Sequence, residues 1–237
     1  SWIAPAHILD LRVKVRLRKT VVGQRTEWLQ RIHAVLFHHG VSVQAGRLGR
    51  LEGRYAREQL AALDLPEAAQ QDLPEAAQQQ ITVALGIIEH LNGVLHDIDL
   101  QLDRIARRQP GCRALMKHYG IGSRVATAIV AELGDTRRLS SSRQAVRFAG
   151  LDITVHESDV RRRSGHLSRQ GSAVLRWAVF EAAQCAARPA SPDHAYYVQL
   201  KERLGANRAA LTIARKLLRR AHHTLRELGD DAIAPAT

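Results

Sequence analysis

Two runs of apolar residues repeat at alternating spacings of three and four, and a chain that holds both must bury them against a common surface. From Ile8 to His39 the stripe is Leu11, Val15, Val22, Leu29, Ile32 and Leu36, with Arg18 and Arg25 filling the two remaining seam positions and Gly40 ending the run. Ile81, Leu85, Ile88, Leu95, Ile98, Leu102 and Ile105 carry the same period to a break at Pro110. Apolar residues at this spacing line one face of a helix, and a period near 3.5 is that of a coiled-coil seam. The two runs are therefore expected to form a long antiparallel, coiled-coil-like helix pair, and residues 1–110 to form a helical linker domain.

Between the runs, Arg47 to Ala62 reads as a shorter helix, followed by DLPEAAQQ at 64–71 and again at 72–79. An eight-residue tandem copy is too short for a solenoid unit, and Pro66 and Pro74 mark turns or helix starts. The tandem copy reads as a lengthened linker.

Beyond Pro110 the texture changes to that of a compact helical domain over 111–237. Ser123 to Leu133 predicts a short helix with Val125, Ile129 and Leu133 inward and Gly134 as its stop. Ser141 and Gln144 have capping-box spacing for a helix ended by Gly150. Leu151, Ile153 and Val155 alternate with polar residues as a strand would, and Ser164–Gly165 reads as a turn back to His166 and Leu167, giving a small β-hairpin. From Ser172 to Ala187, Val174, Leu175, Ala178, Val179, Ala182, Ala183 and Ala186 make a broad face of small residues suited to close helix packing. Pro189 and Pro192 break that helix, and Asp193–Leu204 and Asn207–Leu228 follow on either side of Gly205 as a helical cap. The expected fold is mainly α.

Charge indicates the partner class. The net charge is +12, and by segment it is +5 over 1–40, −3 over 41–110, +7 over 111–188 and +3 over 189–237. A field of that sign attracts polyanions, and its peak falls on Tyr119–Trp177. Cys112 and Cys185 are the two cysteines, with no CxxC pair, so a disulfide framework and a cysteine-rich zinc site are unsupported. No apolar run of 18 residues and no charged-then-apolar leader is present, which favours a cytoplasmic protein with no membrane partner. With Ser at position 1, the chain reads as a fragment.

Within the peak, Gly120–Ile121–Gly122–Ser123 before a helix has the form of a helix-hairpin-helix turn, whose backbone N–H groups can approach a phosphate. Arg124 adds a charge there, though the same letters also write an ordinary tight turn. Arg161, Arg162 and Arg163, with Arg169 and Arg176, could meet several phosphates or form a solvated basic loop. Ser158, in HESD, is the serine nearest these arginines. A serine attacking a phosphodiester needs cations around the developing charge, yet most loop serines are caps or turns. The GxSxG elbow of hydrolases is absent. His38–His39 and His222–His223 read as surface pairs, because adjacent helical imidazoles diverge. Asp99 and Asp103 share a helix face near Asp97 and read as solvated rather than as a metal site, and Trp2, Trp28 and Trp177 read as packing anchors.

The ordered set YGIGSRVATAIVAELGD, SSRQAVRFAGL, HESD with following basic residues, and HLSRQGSAVLRWAVFEAA resembles the carboxy-terminal part of the IS-one-ten family of insertion-sequence transposases. These pair a RuvC-like DEDD domain with a serine-bearing transposase domain and act as RNA-guided recombinases. The resemblance continues more weakly through RLRKTVVGQRTEWLQRIHAVLFHHG and the carboxy-terminal helices. It implies that Ser158 attacks DNA and forms a transient phosphoserine bond. It also implies DNA and a guide RNA as partners, homo-oligomeric assembly and transposition as the activity. The family pattern has glycine after that serine, where this chain has Asp159. The family's four carboxylates and their magnesium belong to an amino-terminal domain expected upstream of residue 1. The isolated chain is therefore expected to bind nucleic acid without recombining it and to hold no cofactor of its own. The competing readings are a non-catalytic DNA- or RNA-binding remnant and a helical dimerisation module.

Overall fold

The computed structural model describes residues 2–40, 73–158 and 161–236, with side chains at all of these except 154–158 and 161–165. The helix expected over Arg47–Ala62, the first DLPEAAQQ copy and Asp159 lie outside the described residues. The chain is mainly helical: among the described residues the elements are α1 (Ala6–His38), α2 (Glu75–Arg108), α3 (Pro110–Leu115), α4 (Ser123–Leu133), α5 (Ser142–Phe148), β1 (Ile153–Ser158), β2 (Arg161–Leu167), α6 (Ala173–Gln184), α7 (His194–Leu204) and α8 (Ala206–Leu228). They fall into two compact units, Leu17–Asp99 and Ser1–Arg16 with Leu100–Thr237. That division differs from a cut at residue 110, because α1 and α2 each contribute residues to both units.

In the unit Leu17–Asp99, Leu29, Ile32, Leu36, Leu73, Ala77, Ala84 and Ile88 form the buried cluster, with Trp28, Val35, Ile81 and Leu85 packed against it. The polar contacts set the direction of the two helices. Arg18 Nε lies 2.5 Å from Asp99 Oδ1, and seven residues on, Arg25 Nη1 donates to Asn92 Oδ1 at 3.4 Å, seven residues back. The helices therefore run antiparallel. The two arginines that interrupt the apolar stripe sit half-buried in the seam and find polar partners there, as buried charge requires. Asp99, expected to be solvated, is one of those partners.

The innermost residue of the seam shifts along the two helices. Val21 is buried and Val22 half-buried, Ala84 is more buried than Ile81 or Leu85, and Ala106 more than Ile105. A straight helix drifts against a strict heptad, so a long stripe changes its innermost residue along the way. The second DLPEAAQQ copy is the start of α2 rather than linker: the Pro74 carbonyl accepts from Ala77 N at 2.8 Å, and Leu73 joins the buried cluster.

The other unit is built around α4, buried on every side from Ala126 to Leu133. Helix α4 packs against α3 and α6, and α8 lies across α3, α5, α6 and α7. The face of α6 makes this possible, with Val174, Leu175, Ala178, Val179, Ala182 and Ala183 buried and Ala186 buried just beyond its end. Glycines end α4, α5 and α7 as the sequence predicts; Gly134, Gly150 and Gly205 all have positive φ. The start of α1 belongs to this unit. Arg12 donates through Nε and Nη2 to Ala131 O at 3.0 and 2.9 Å, and Arg16 forms a two-nitrogen pair with Glu132 at 2.8 and 3.1 Å. Trp2 packs beneath Gly134, where a β-carbon would strike its ring.

Two side chains correct the surface reading. His222 is buried rather than exposed, on the face of α8 turned toward Thr136–Leu139, while His223 stays exposed. Burial first, and the neighbouring His223 second, hold the His222 pKa below its ordinary value, so it packs as a neutral ring. Asp193 is also buried, 2.7 Å from Lys216 Nζ and 2.6 Å from Arg220 Nη1, and ties the start of α7 to α8. Burial pushes its pKa up, but the hydrogen bonds and charges of Arg220 and Lys216 outweigh this and bring it below the usual carboxylate range.

Candidate nucleic-acid interface

The residues assigned to phosphate handling divide between the two ends of α6. At its C-terminal end lies the glycine turn. Gly120 has φ 86°, and a β-carbon there would come within 2.6 Å of Ala182 O, so this position requires glycine for backbone conformation and for close approach to α6. Gly122 differs: it is exposed, a β-carbon would meet nothing within 4 Å, and it is the N-cap of α4 with no side-chain cap bond. Beside the turn is an open cleft of about 500 Å³ lined by Lys117, Tyr119, Gly120, Gly122, Cys185 and Arg188 among others. Arg124 is exposed on the first turn of α4.

One local charge opposes an anion at this helix end. Ser123 Oγ donates to Asp103 Oδ1, so a carboxylate already sits by the N-terminus of α4, where the helix dipole favours it. Asp99 and Asp103 are thus both engaged, with Arg18 and Ser123 respectively. Among the described residues no group of three His, Cys, Asp or Glu is placed to hold a metal.

At the other end of α6 stands the root of the hairpin. Strands β1 and β2 pair antiparallel, with Ser158 opposite Arg161, Glu157 opposite Arg162 and His156 opposite Arg163. Ser164 and Gly165 therefore lie within β2 and are not its turn. The misreading has a clear source: β2 is written RRRSGHL, with a low strand propensity that masks its register. Alternation along the strands puts His156, Ser158, Arg161 and Arg163 in one set of positions, and Glu157 and Arg162 in the other.

Below the strands, arginines hold three successive carbonyl oxygens. Arg176 Nη1 donates to Ala149 O at 2.9 Å, Arg169 N to Gly150 O at 3.1 Å, and Arg215 Nε to Leu151 O at 2.7 Å. Arg169 has φ 52°, the sole non-glycine residue with positive φ among those described. Asp152 accepts from Ser168 Oγ and lies 3.8 Å from Arg147 Nε. Gly150 and Gly171 pack as closely as Gly120: a β-carbon on Gly150 would lie 2.7 Å from Gln170 O, and one on Gly171 would overlap Phe148 O.

Ser172 caps the start of α6 near this root, and Ala182 touches the glycine turn. Ten residues of helix separate them, so the two candidate sites are about 15 Å apart along α6. Sequence reasoning placed Arg176 with the phosphate-facing cations; the structure gives one of its nitrogens to the α5 C-terminus. It also missed Arg215, which lies on what read as a helical cap, and the signal available was the basic spacing RKLLRR along α8.

Residues 112–199, which contain the glycine turn, the hairpin and α6, match the family model described as Transposase IS116/IS110/IS902. Over these residues the chain is similar to that transposase family. It is 24% identical over 213 residues to a Coxiella burnetii protein named "Transposase for insertion sequence element IS1111A", covering 87% of this chain and 56% of that one. It is also 26% identical over 133 residues to a Pseudomonas aeruginosa protein named "Probable family 20 transposase", covering 54% of this chain and 39% of the relative. The chain thus spans about half the length of these curated relatives. Among the described residues no helix is long and apolar enough to cross a membrane.

Proposed function

We propose that this chain is the serine-bearing, DNA-handling part of an insertion-sequence transposase, with Ser158 as the nucleophile. The observation that carries this reading is the strand register. It sets Ser158 opposite Arg161 in a hairpin rooted among arginines, inside the segment that matches the transposase family. Cations at that position would steady the charge that builds on a phosphodiester under attack. The Ser158 Oγ–H bond gives up its proton, an Oγ–P bond forms and the P–O bond to the leaving strand breaks. The departing strand oxygen takes up a proton and leaves as a hydroxyl. Because the phosphoserine ester keeps the bond energy, a second strand's hydroxyl can reverse the step and complete an exchange.

The glycine turn serves as a second, weaker phosphate contact through Gly122, Ser123 and Arg124, in the manner of a helix-hairpin-helix. The coiled-coil-like pair of α1 and α2 carries self-association. Guide RNA and magnesium enter through the additional length that the relatives have, as does the competence to exchange strands. The chain described here binds DNA without recombining it.

The test is Ser158→Ala in a protein carrying that additional length. Exchange should fall to background while DNA binding stays within about twofold, the pattern of a residue whose interaction is made in the transition state alone. A variant that still exchanges strands would remove Ser158 from the mechanism.

A further inference from the structure

The hairpin root carries more positive charge than its hydrogen bonds use. Arg147, Arg169, Arg176 and Arg215 gather around residues 149–152, where Asp152 is the carboxylate among the described side chains. Helix α5 lies against α8, and Arg147, 3.8 Å from Asp152, and Arg215, bound to Leu151 O, meet the same short segment. Arg215 is held by Leu151 O, and Arg219 follows one turn later on the same helix. Burial is the larger cause pressing the Arg215 pKa down, and the charge of Arg219 adds to it against the pull of Asp152. Arg147 and Arg219 are exposed, and the Arg147 side chain is 73% accessible at 3.8 Å from Asp152. A pair that open and that long contributes little to folding.

We infer that Arg147 and Arg219, flanking the anchored Arg215 at the hairpin root, form a docking collar for the backbone phosphates of duplex DNA. This rests on the reading that the chain handles DNA. It adds residues from α5 and α8 to that surface, and Arg215 and Arg219 lie outside the segment that matches the family. The anchored arginines make the collar rigid: Arg176 and Arg215 each commit one nitrogen to a carbonyl, and a guanidinium carries five donors in a fixed fork. A phosphate drawn between them would relieve the mutual repulsion and make charge-assisted bonds. Such contacts position the duplex and carry no sequence information, so the collar holds any duplex whose scissile phosphate lies under the hairpin.

The experiment is salt-dependent binding of the full chain to a short duplex of arbitrary sequence. The double variant Arg147→Gln/Arg219→Gln should lower the slope of log K against log salt by about 2, roughly one for each phosphate that the variant no longer neutralises. Its affinity should fall by about the same factor on every duplex sequence. Arg147→Lys/Arg219→Lys should keep the wild-type slope. Lys201→Gln/Arg203→Gln, which removes the same charge from the exposed side of α7, should also leave the slope unchanged. The collar is overturned if the glutamine variant matches the α7 control, or if it loses binding to RNA while keeping duplex DNA. A wild-type chain that binds no duplex overturns the collar together with the reading it rests on, and is told apart by the missing wild-type binding. An unchanged unfolding transition in the glutamine variant ties its weaker binding to the surface.

Discussion

At one end of α6, Gly120 is pressed onto Ala182 while Gly122 stands open beside the cleft of Lys117 and Arg188; at the other, Gly150 and Gly171 are both pressed onto the chain, and arginines hold three successive carbonyls. In the glycine turn, the residue that shapes the backbone and the residue that stands open are different glycines. At the hairpin root the shaping and the charge share the same few atoms. Under the proposed function, folding and binding are therefore separable by point substitution at the turn, whereas at the root a substitution that disturbs one disturbs the other, unless it falls on exposed Arg147 or Arg219.

The most severe test of this contrast is Gly171→Ala. The new β-carbon overlaps Phe148 O, and the residue's φ of 134° strains any side chain. A loss of about 3 kcal/mol or more is expected in chemical denaturation, with the hairpin's binding lost alongside. Next is Asp193→Asn, at the start of α7. It leaves Lys216 and Arg220 without their buried counter-charge and should cost about 2 kcal/mol, reduced from the fully buried case because both cations are more than a third exposed. The native Asp193 pKa lies below its unfolded value near 3.8, so its stabilisation is complete above that pH and is lost as the pH falls below it. Acid titration of wild type against Asp193→Asn should show the difference vanish in that range.

Smaller still is the His222 effect. Its folded pKa lies below 6.5, so as the pH drops through 6.5 the unfolded state takes up a proton that the folded state refuses, and stability declines. Melting temperatures of wild type and His222→Gln between pH 7.5 and 5.5, reported as their difference, should show a steeper decline for wild type. The smallest stability change belongs to Gly122→Ala, expected within about 1 kcal/mol because the site is open and φ is ordinary. Gly120→Ala should cost several times more. If the two glycines prove equally sensitive, the division of labour drawn at the turn is broken.

Much of this arrangement was legible in the sequence, for particular reasons. Helix ends at Gly134, Gly150 and Gly205 were readable because a left-handed stop is a local property of one residue. The α6 face was readable because apolar residues, most of them small, repeat at helical spacing. The hairpin register was not, since Ser164–Gly165 offers turn chemistry that the pairing of Ser158 with Arg161 overrides. Neither was the use of the arginines. Arg12, Arg138, Arg176, Arg215 and Arg226 each donate to a main-chain carbonyl, and most of these partners lie far away in sequence. Composition counts their charge and cannot show where it is spent. For the same reason His222 read as surface: its burial depends on the Thr136–Leu139 segment, which no helical period reveals.

The most direct test of the serine assignment is peptide mapping of protein–DNA adducts trapped during exchange, in a chain carrying the additional length of its relatives. The account predicts DNA linked through a phosphoserine in the peptide that contains Ser158 and none in the Ser158→Ala variant. An adduct on any other residue, or exchange that proceeds with no covalent link at Ser158, would contradict it.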